Sequence, residues 1–164
     1  MNSPHRRQFL GRSLGVAQVA VASVLLPGAA RAFAPATSAD ARRLSFNHLH
    51  TRERTALVYA VGSDFLPPAL THLNHFLRDH YTGEVGQMDP ELYNVLHRVR
   101  RELGTDLPFH VISGYRSPAT NETLRTTRGG GVARRSLHMD GKAIDVRLPG
   151  VALADLRDAA IALK

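Results

Sequence analysis

The sequence predicts an α+β domain, a small antiparallel sheet with helices packed to one side of it, and three observations carry that prediction. Residues 44–49 nearly alternate apolar with polar and residues 56–61 form an apolar run, both of strand length, on either side of a charged turn. Two longer stretches, opening at Pro67-Pro68 and at Asp89-Pro90, place their apolar residues at helical spacing. Strand-like patterns then return at residues 109–112 and 136–146. With 164 residues, 43% of them hydrophobic and 21% charged, the chain suits one domain with an ordinary core, and no internal repeat competes with that view.

The chain begins with a segment unlike the rest. Arg6-Arg7-Gln8-Phe9-Leu10 precedes an apolar run over residues 14–26, and Ala30-Arg31-Ala32 supplies the small residues of a cleavage site, so residues 1–32 are expected to be a secretory signal peptide. A membrane-spanning helix is the other reading, but the run is shorter than the ~20 residues a bilayer needs and contains Gln18 and Ser23. The paired arginines followed by Phe9 and Leu10 resemble a twin-arginine signal, with conventional export as the alternative. Residues 33–43, rich in Ala, Pro, Ser and Thr, are expected to be a linker.

The domain is then expected over residues 44–164. Residues 44–61 suggest a β-hairpin. Leu70, Leu73, Phe76 and Leu77 mark the first helix, which His72, His75 and His80 accompany. Asp89 offers an acceptor at a helix start, Leu92, Val95, Leu96, Val99 and Leu103 form the stripe of that helix, and Gly104 ends it. Ser117-Pro118 opens another helix, residues 128–131 form a glycine-rich loop, and Val151, Leu153, Leu156, Ala160 and Ile161 mark a last amphipathic helix.

Charge and composition narrow the function classes. The formal net charge is +7, but residues 1–32 contribute four arginines and no acids, which leaves 17 basic against 14 acidic residues after cleavage. No basic stripe with interleaved aromatics points to nucleic acid, while a mildly basic surface suits an anionic polymer. Without cysteine there are no disulfides and no cysteine-linked lipid anchor, so the cleaved product is expected to be free of the membrane; the export signal implies the periplasm, and a monomer is expected.

The segment Ser136-Leu137-His138-Met139-Asp140-Gly141-Lys142-Ala143-Ile144-Asp145-Val146 carries the chemistry. Read as two short strands around a tight turn at Asp140-Gly141, it brings His138 and Asp145 together. An unpaired carboxylate inside an apolar strand costs several kcal/mol if buried, so a metal or a cation would account for Asp145. A histidine nitrogen plus a carboxylate oxygen is a normal part of a catalytic zinc shell, which takes three protein ligands. The spacing alone fits a surface histidine beside a salt-bridged aspartate equally well.

That segment resembles the S-x-H-x-x-G-x-A-x-D motif of the superfamily that groups lysostaphin-type endopeptidases, D-Ala-D-Ala peptidases and the Hedgehog signalling domain, and every fixed position matches. Upstream, the run from Ile112 through Ser113-Gly114-Tyr115-Arg116-Ser117-Pro118-Ala119-Thr120 to Asn121 resembles a second motif of the same peptidases, and residues 44–103 resemble the murein endopeptidase K-like bacterial branch. The resemblance implies a zinc peptidase acting on the peptide stems or cross-links of peptidoglycan, as endopeptidase or carboxypeptidase. It implies that His138 and Asp145 bind Zn2+, that Arg116 supports substrate and oxyanion, and that Ser136 contacts substrate or orients the shell. His110, a lone histidine between Phe109 and Val111, is expected to be an ordinary strand residue. Family members continue past the last helix to a third zinc-binding histidine and an acidic residue, so the sequence is expected to be a fragment of a complete enzyme. The alternative is a cell-wall binding module without full zinc chemistry.

Overall fold

The computed structural model describes residues 40–127 and 131–163, so the expected signal peptide with its cleavage site, the first part of the expected linker and residues 128–130 of the expected glycine-rich loop lie outside the described residues. Strand β1 spans Ala41–His48, β2 Arg54–Val61 and β3 Asp64–Phe65. Helix α1 spans Pro67–Phe76 and α2 Glu91–Glu102, followed by β4 Phe109–Ser113, α3 Pro118–Thr127, β5 Asp145–Arg147 and α4 Leu153–Ala162. The expected linker therefore ends sooner than residue 43, because Ala41, Arg42 and Arg43 already pair with β2.

The alternation in β1 works as the two-residue period requires. Leu44, Phe46 and His48 are buried on one face, while Ser45 and Asn47 between them are partly exposed and Arg43 before them is exposed. β1 and β2 form the expected antiparallel hairpin. The five strands lie in the order β3-β2-β1-β4-β5, and the β1–β4 pair is parallel, with Phe46 opposite Phe109 and His48 opposite Val111. The sheet is thus mixed rather than antiparallel. A parallel neighbour needs a crossover, which the stretch from residue 66 to residue 108, with α1 and α2, provides.

Pro67 and Pro68 sit in the first turn of α1, where missing N–H groups cost nothing. Before α2, Asp89 Oδ1 accepts the Glu91 N–H at 3.0 Å, and Gly104 takes φ +60° past its end. Leu73, Phe76, Tyr93, Leu96 and Val99 meet Phe46, Tyr59, Phe109 and Val111 in a continuous core. Each fully buried side chain of this size contributes roughly 1.5–3 kcal/mol of transfer free energy. Among the described residues no helix is long and apolar enough to cross a membrane.

The stretch from Ser136 to Val146 is not a hairpin. Residues 137–141 form consecutive turns, closed by Met139 N–H to Ser136 O (3.0 Å), Lys142 N–H to Leu137 O (2.9 Å) and Gly141 N–H to His138 O (3.3 Å). Gly141 adopts φ +67°, with the Gln87 carbonyl where a Cβ would stand, and its own oxygen accepts the Asp89 N–H at 2.9 Å. Only Asp145–Arg147 is strand, and it pairs antiparallel with β4, Asp145 facing Ser113 in register. The turn that carries His138 is held by the segment before α2 rather than by a partner strand.

Candidate metal and catalytic site

The topology delivers three segments to the end of β4. The chain leaving Ser113 runs through Gly114, Tyr115 and Arg116 into α3, the His138 turn lies against it, and β5 brings Asp145 alongside. Gly114 is a glycine for want of space, since a Cβ there would press on the backbone and Cβ of Leu77. Its carbonyl oxygen lies 2.8 Å from His138 Nδ1. A carbonyl can only accept, so Nδ1 carries the proton and Nε2 keeps its lone pair. Nε2 faces Asp145 Oδ2 at 3.5 Å. A histidine whose far nitrogen is anchored on a backbone carbonyl, presenting the other beside a carboxylate, is the arrangement that metal-binding histidines use.

His138 is largely buried, but the Asp145 side chain is 52% exposed. Asp145 is thus at the mouth of a pocket, where water reaches it, and the full cost that burial of an unpaired carboxylate would carry does not arise. When the His138 ring carries its second proton, on Nε2, it donates to this carboxylate and holds it below the usual range, against a smaller opposing push from burial; in the neutral ring the same nitrogen offers its lone pair instead. Arg116 donates its backbone N–H to His138 O at 3.2 Å, and its Nη1 reaches Asn121 Oδ1 at 3.4 Å. Asn121 is buried and donates Nδ2 to Ala133 O at 3.1 Å, tying α3 to the approach of the His138 turn. Ser136 has a local role: its Oγ accepts the His138 N–H at 3.4 Å, supporting the turn, and it is not among the residues that line the pocket.

That pocket, of about 120 Å³, is bordered by Arg116, Asp145, Ser113 and Tyr115 from the β4–α3 and β5 segments and by His50, Asp79, His80 and Tyr81 from the β1–β2 turn and the loop after α1. The structure thus brings Arg116, His138 and Asp145 together, and it adds a wall the sequence did not announce. The His50 and His80 rings stack at 4.1 Å with an interplanar angle of 5°. His48 packs edge-on to His80 beneath them, and burial, with the neighbouring His80 and His50, pushes its pKa down to about 4. Arg78 joins this wall to the β1–β2 turn through a two-pronged ion pair with Glu53 at 2.9 Å. His110 lies on β4, partly exposed and away from this pocket.

Zinc would find two fitting donors here, His138 Nε2 with its tautomer fixed and the Asp145 carboxylate. Among the described residues no group of three His, Cys, Asp or Glu side chains is placed to hold a metal.

The fold and this site have the character of a peptidase domain. Residues 36–164 match the family model described as peptidoglycan L,D-endopeptidase MepK, and the chain belongs to that family. Its relatives include the peptidoglycan L,D-endopeptidase MepK of Escherichia coli (strain K12), 38% identical over 151 residues that make up 92% of this chain and 81% of that protein. The probable peptidoglycan L,D-endopeptidase MepK of Haemophilus influenzae is 33% identical over 152 residues, 92% of this chain and 80% of that one. No solved structure matches significantly.

Proposed function

We propose that this protein is an exported, zinc-dependent murein peptidase that hydrolyses L,D amide bonds in the peptide stems or cross-links of peptidoglycan, working in the periplasm as a monomer. Residues 1–32 serve as its signal peptide, of the twin-arginine type, and the peptidase domain follows a short linker. One observation carries the reading: His138, proton fixed on Nδ1 by the Gly114 carbonyl, presents Nε2 to Asp145 beside the pocket that Arg116 lines. Membership of the family supports the substrate class, and the L,D activity named for its relatives supports the bond.

His138 and Asp145 are the residues that hold zinc, which when bound supplies a water acidic enough to act near neutral pH and a polarised scissile carbonyl. Arg116 then sits where negative charge grows on the substrate oxygen, and a guanidinium fixed in advance needs no rearrangement to meet it. Asp145, being solvent-accessible, is ionised without having to lose a proton first. Ser136 keeps the His138 turn closed.

Zinc titration of the protein expressed from its complete reading frame tests the ligand assignment. His138→Ala and Asp145→Ala should each weaken binding at least about tenfold, as loss of a ligand does, while His110→Ala should leave it unchanged. Unaltered binding in the His138 variant would remove the assignment.

A further inference from the structure

Asp79 is 1% exposed, and no Lys, Arg or His among the described residues forms an ion pair with it. Isolated carboxylates are not normally buried without compensation. Here the compensation consists of N–H and O–H donors from two segments. Oδ2 accepts the Ser117 N–H at 2.8 Å, and Oδ1 accepts the Tyr81 N–H at 2.9 Å and the Thr82 N–H at 3.4 Å. Burial pushes its carboxyl up, but the Thr120 hydroxyl and the donors of Ser117 and Tyr81 together hold it down at about 2. It is therefore an anion under all working conditions, with its acceptor capacity committed to the protein and none left over for substrate or metal.

What those donors have in common is their position. Ser117 directly follows Arg116, and Tyr81 directly follows His80, so Asp79 joins the two segments that bring Arg116 and His80 to the pocket. The segment carrying Arg116 is pinned at three successive N–H groups: Tyr115 to Leu77 O at 2.8 Å, Arg116 to His138 O at 3.2 Å, and Ser117 to Asp79 Oδ2. The first two anchors are backbone carbonyls, and Asp79 is the side chain that completes the set. A Ser or Asn at this site could close the local turn at Tyr81 but could not accept at both ends.

We propose that Asp79 is a positioning residue for the peptidase reaction, acting through Arg116: it fixes the guanidinium against the pocket without touching substrate or zinc. The proposal rests on the functional reading above for the importance of Arg116. The His138 anchor on Gly114 does not depend on Asp79, so zinc binding and turnover should separate.

Asp79→Asn keeps the shape but turns one accepting oxygen into an NH2 that opposes an N–H. In native sequence it should lower kcat about tenfold to a hundredfold, since a displacement near 1 Å can have that effect, with KM within about threefold and zinc stoichiometry unchanged. Introduced into Arg116→Ala protein, it should lower kcat less than about threefold, because the group it positions is gone. The Arg116 side-chain Nε–H resonance should shift or broaden in Asp79→Asn, a readout that needs no turnover. Equal losses of kcat in both backgrounds, or no loss in the native one, would overturn the proposal, as would an unmoved Arg116 resonance. If Asp79→Asn does not fold, Thr120→Val, which deletes the hydroxyl donor to Asp79 together with the acceptor of the Ser117 hydroxyl (3.1 Å), goes through the same cycle, with a loss of about threefold to tenfold expected in native sequence alone. Failure of the underlying reading shows itself differently, as wild-type protein that cleaves no murein while the Arg116 resonance still responds to Asp79→Asn.

Discussion

His48 makes the stability of this domain sensitive to mild acid. Its place in the β1 alternation buries it at 2% exposure, and its Nδ1 accepts the backbone N–H groups of His50 (3.2 Å) and Thr51 (3.3 Å), so the ring is neutral with its proton on Nε2. The groups around it are His80, His50, Glu53 and Arg78, of which only Glu53 favours the charged form. With a folded pKa of about 4 against 6.5 when unfolded, the unfolded chain binds the proton first as pH falls. The stabilising contribution is complete above about pH 6.5 and is lost as pH drops through about 4. The gap corresponds to about 3 kcal/mol, of which roughly 2.5 kcal/mol should be gone by about pH 4.5. Urea denaturation at about pH 7.5 and about pH 4.5 reads this directly, and His48→Asn isolates it, since the Asn oxygen can replace Nδ1 as acceptor for the turn. The variant should lose about 2.5 kcal/mol less than the native protein between the two conditions. Equal losses would show that His48 is not held neutral by burial.

Gly141→Ala should destabilise the domain by about 3 kcal/mol or more, because φ +67° is strained for alanine and its Cβ would meet the Gln87 carbonyl, and thermal melts would show the loss. Arg116→Ala should lower turnover on the order of 10²–10³-fold while the protein stays folded and metal-loaded, as muropeptide release rates and metal analysis would establish. Mass spectrometry of periplasmic protein should find Phe33 at the N-terminus, and Arg6-Arg7→Lys-Lys should strongly reduce export.

The parts of the fold that depend on local chemistry were legible in the sequence. The β1–β2 hairpin followed from alternation around a charged turn, and α2 from Asp89-Pro90 with its apolar stripe and closing Gly104. The parallel β1–β4 pairing was not legible, because the inward residues Phe109, Val111 and Ser113 reveal a buried face but not which strand lies beside it. The hairpin expected over residues 136–146 failed for a related reason. Period-two alternation needs a partner, and β5 finds its partner in β4, leaving the His138 turn to be closed by its own i→i+3 and i→i+5 bonds and by Gly141. His138 and Asp145 meet all the same, by a different backbone route.

The wall of His50, His80 and Asp79 escaped because its members come from the β1–β2 turn and the loop after α1, segments whose proximity depends on tertiary packing. A signal for Asp79 was present in Asp79-His80-Tyr81-Thr82-Gly83, an acceptor side chain followed by turn residues. That signal accounts for the bond to Tyr81 and says nothing of Ser117, 38 residues away. Ser136, expected to contact substrate or orient the shell, hydrogen-bonds to the backbone of His138 within the turn it starts, as short hydroxyl side chains often do.

The central claim is that His138 and Asp145 form part of a zinc centre that cleaves murein. The most direct test is release of muropeptides from purified sacculi by the protein expressed from its complete reading frame, with zinc stripped by a chelator and then restored, alongside His138→Ala and Asp145→Ala. Chelation should abolish release, zinc should restore it in native protein, and neither variant should recover although both remain folded by circular dichroism. Undiminished release by chelated protein, or by His138→Ala, would contradict the account.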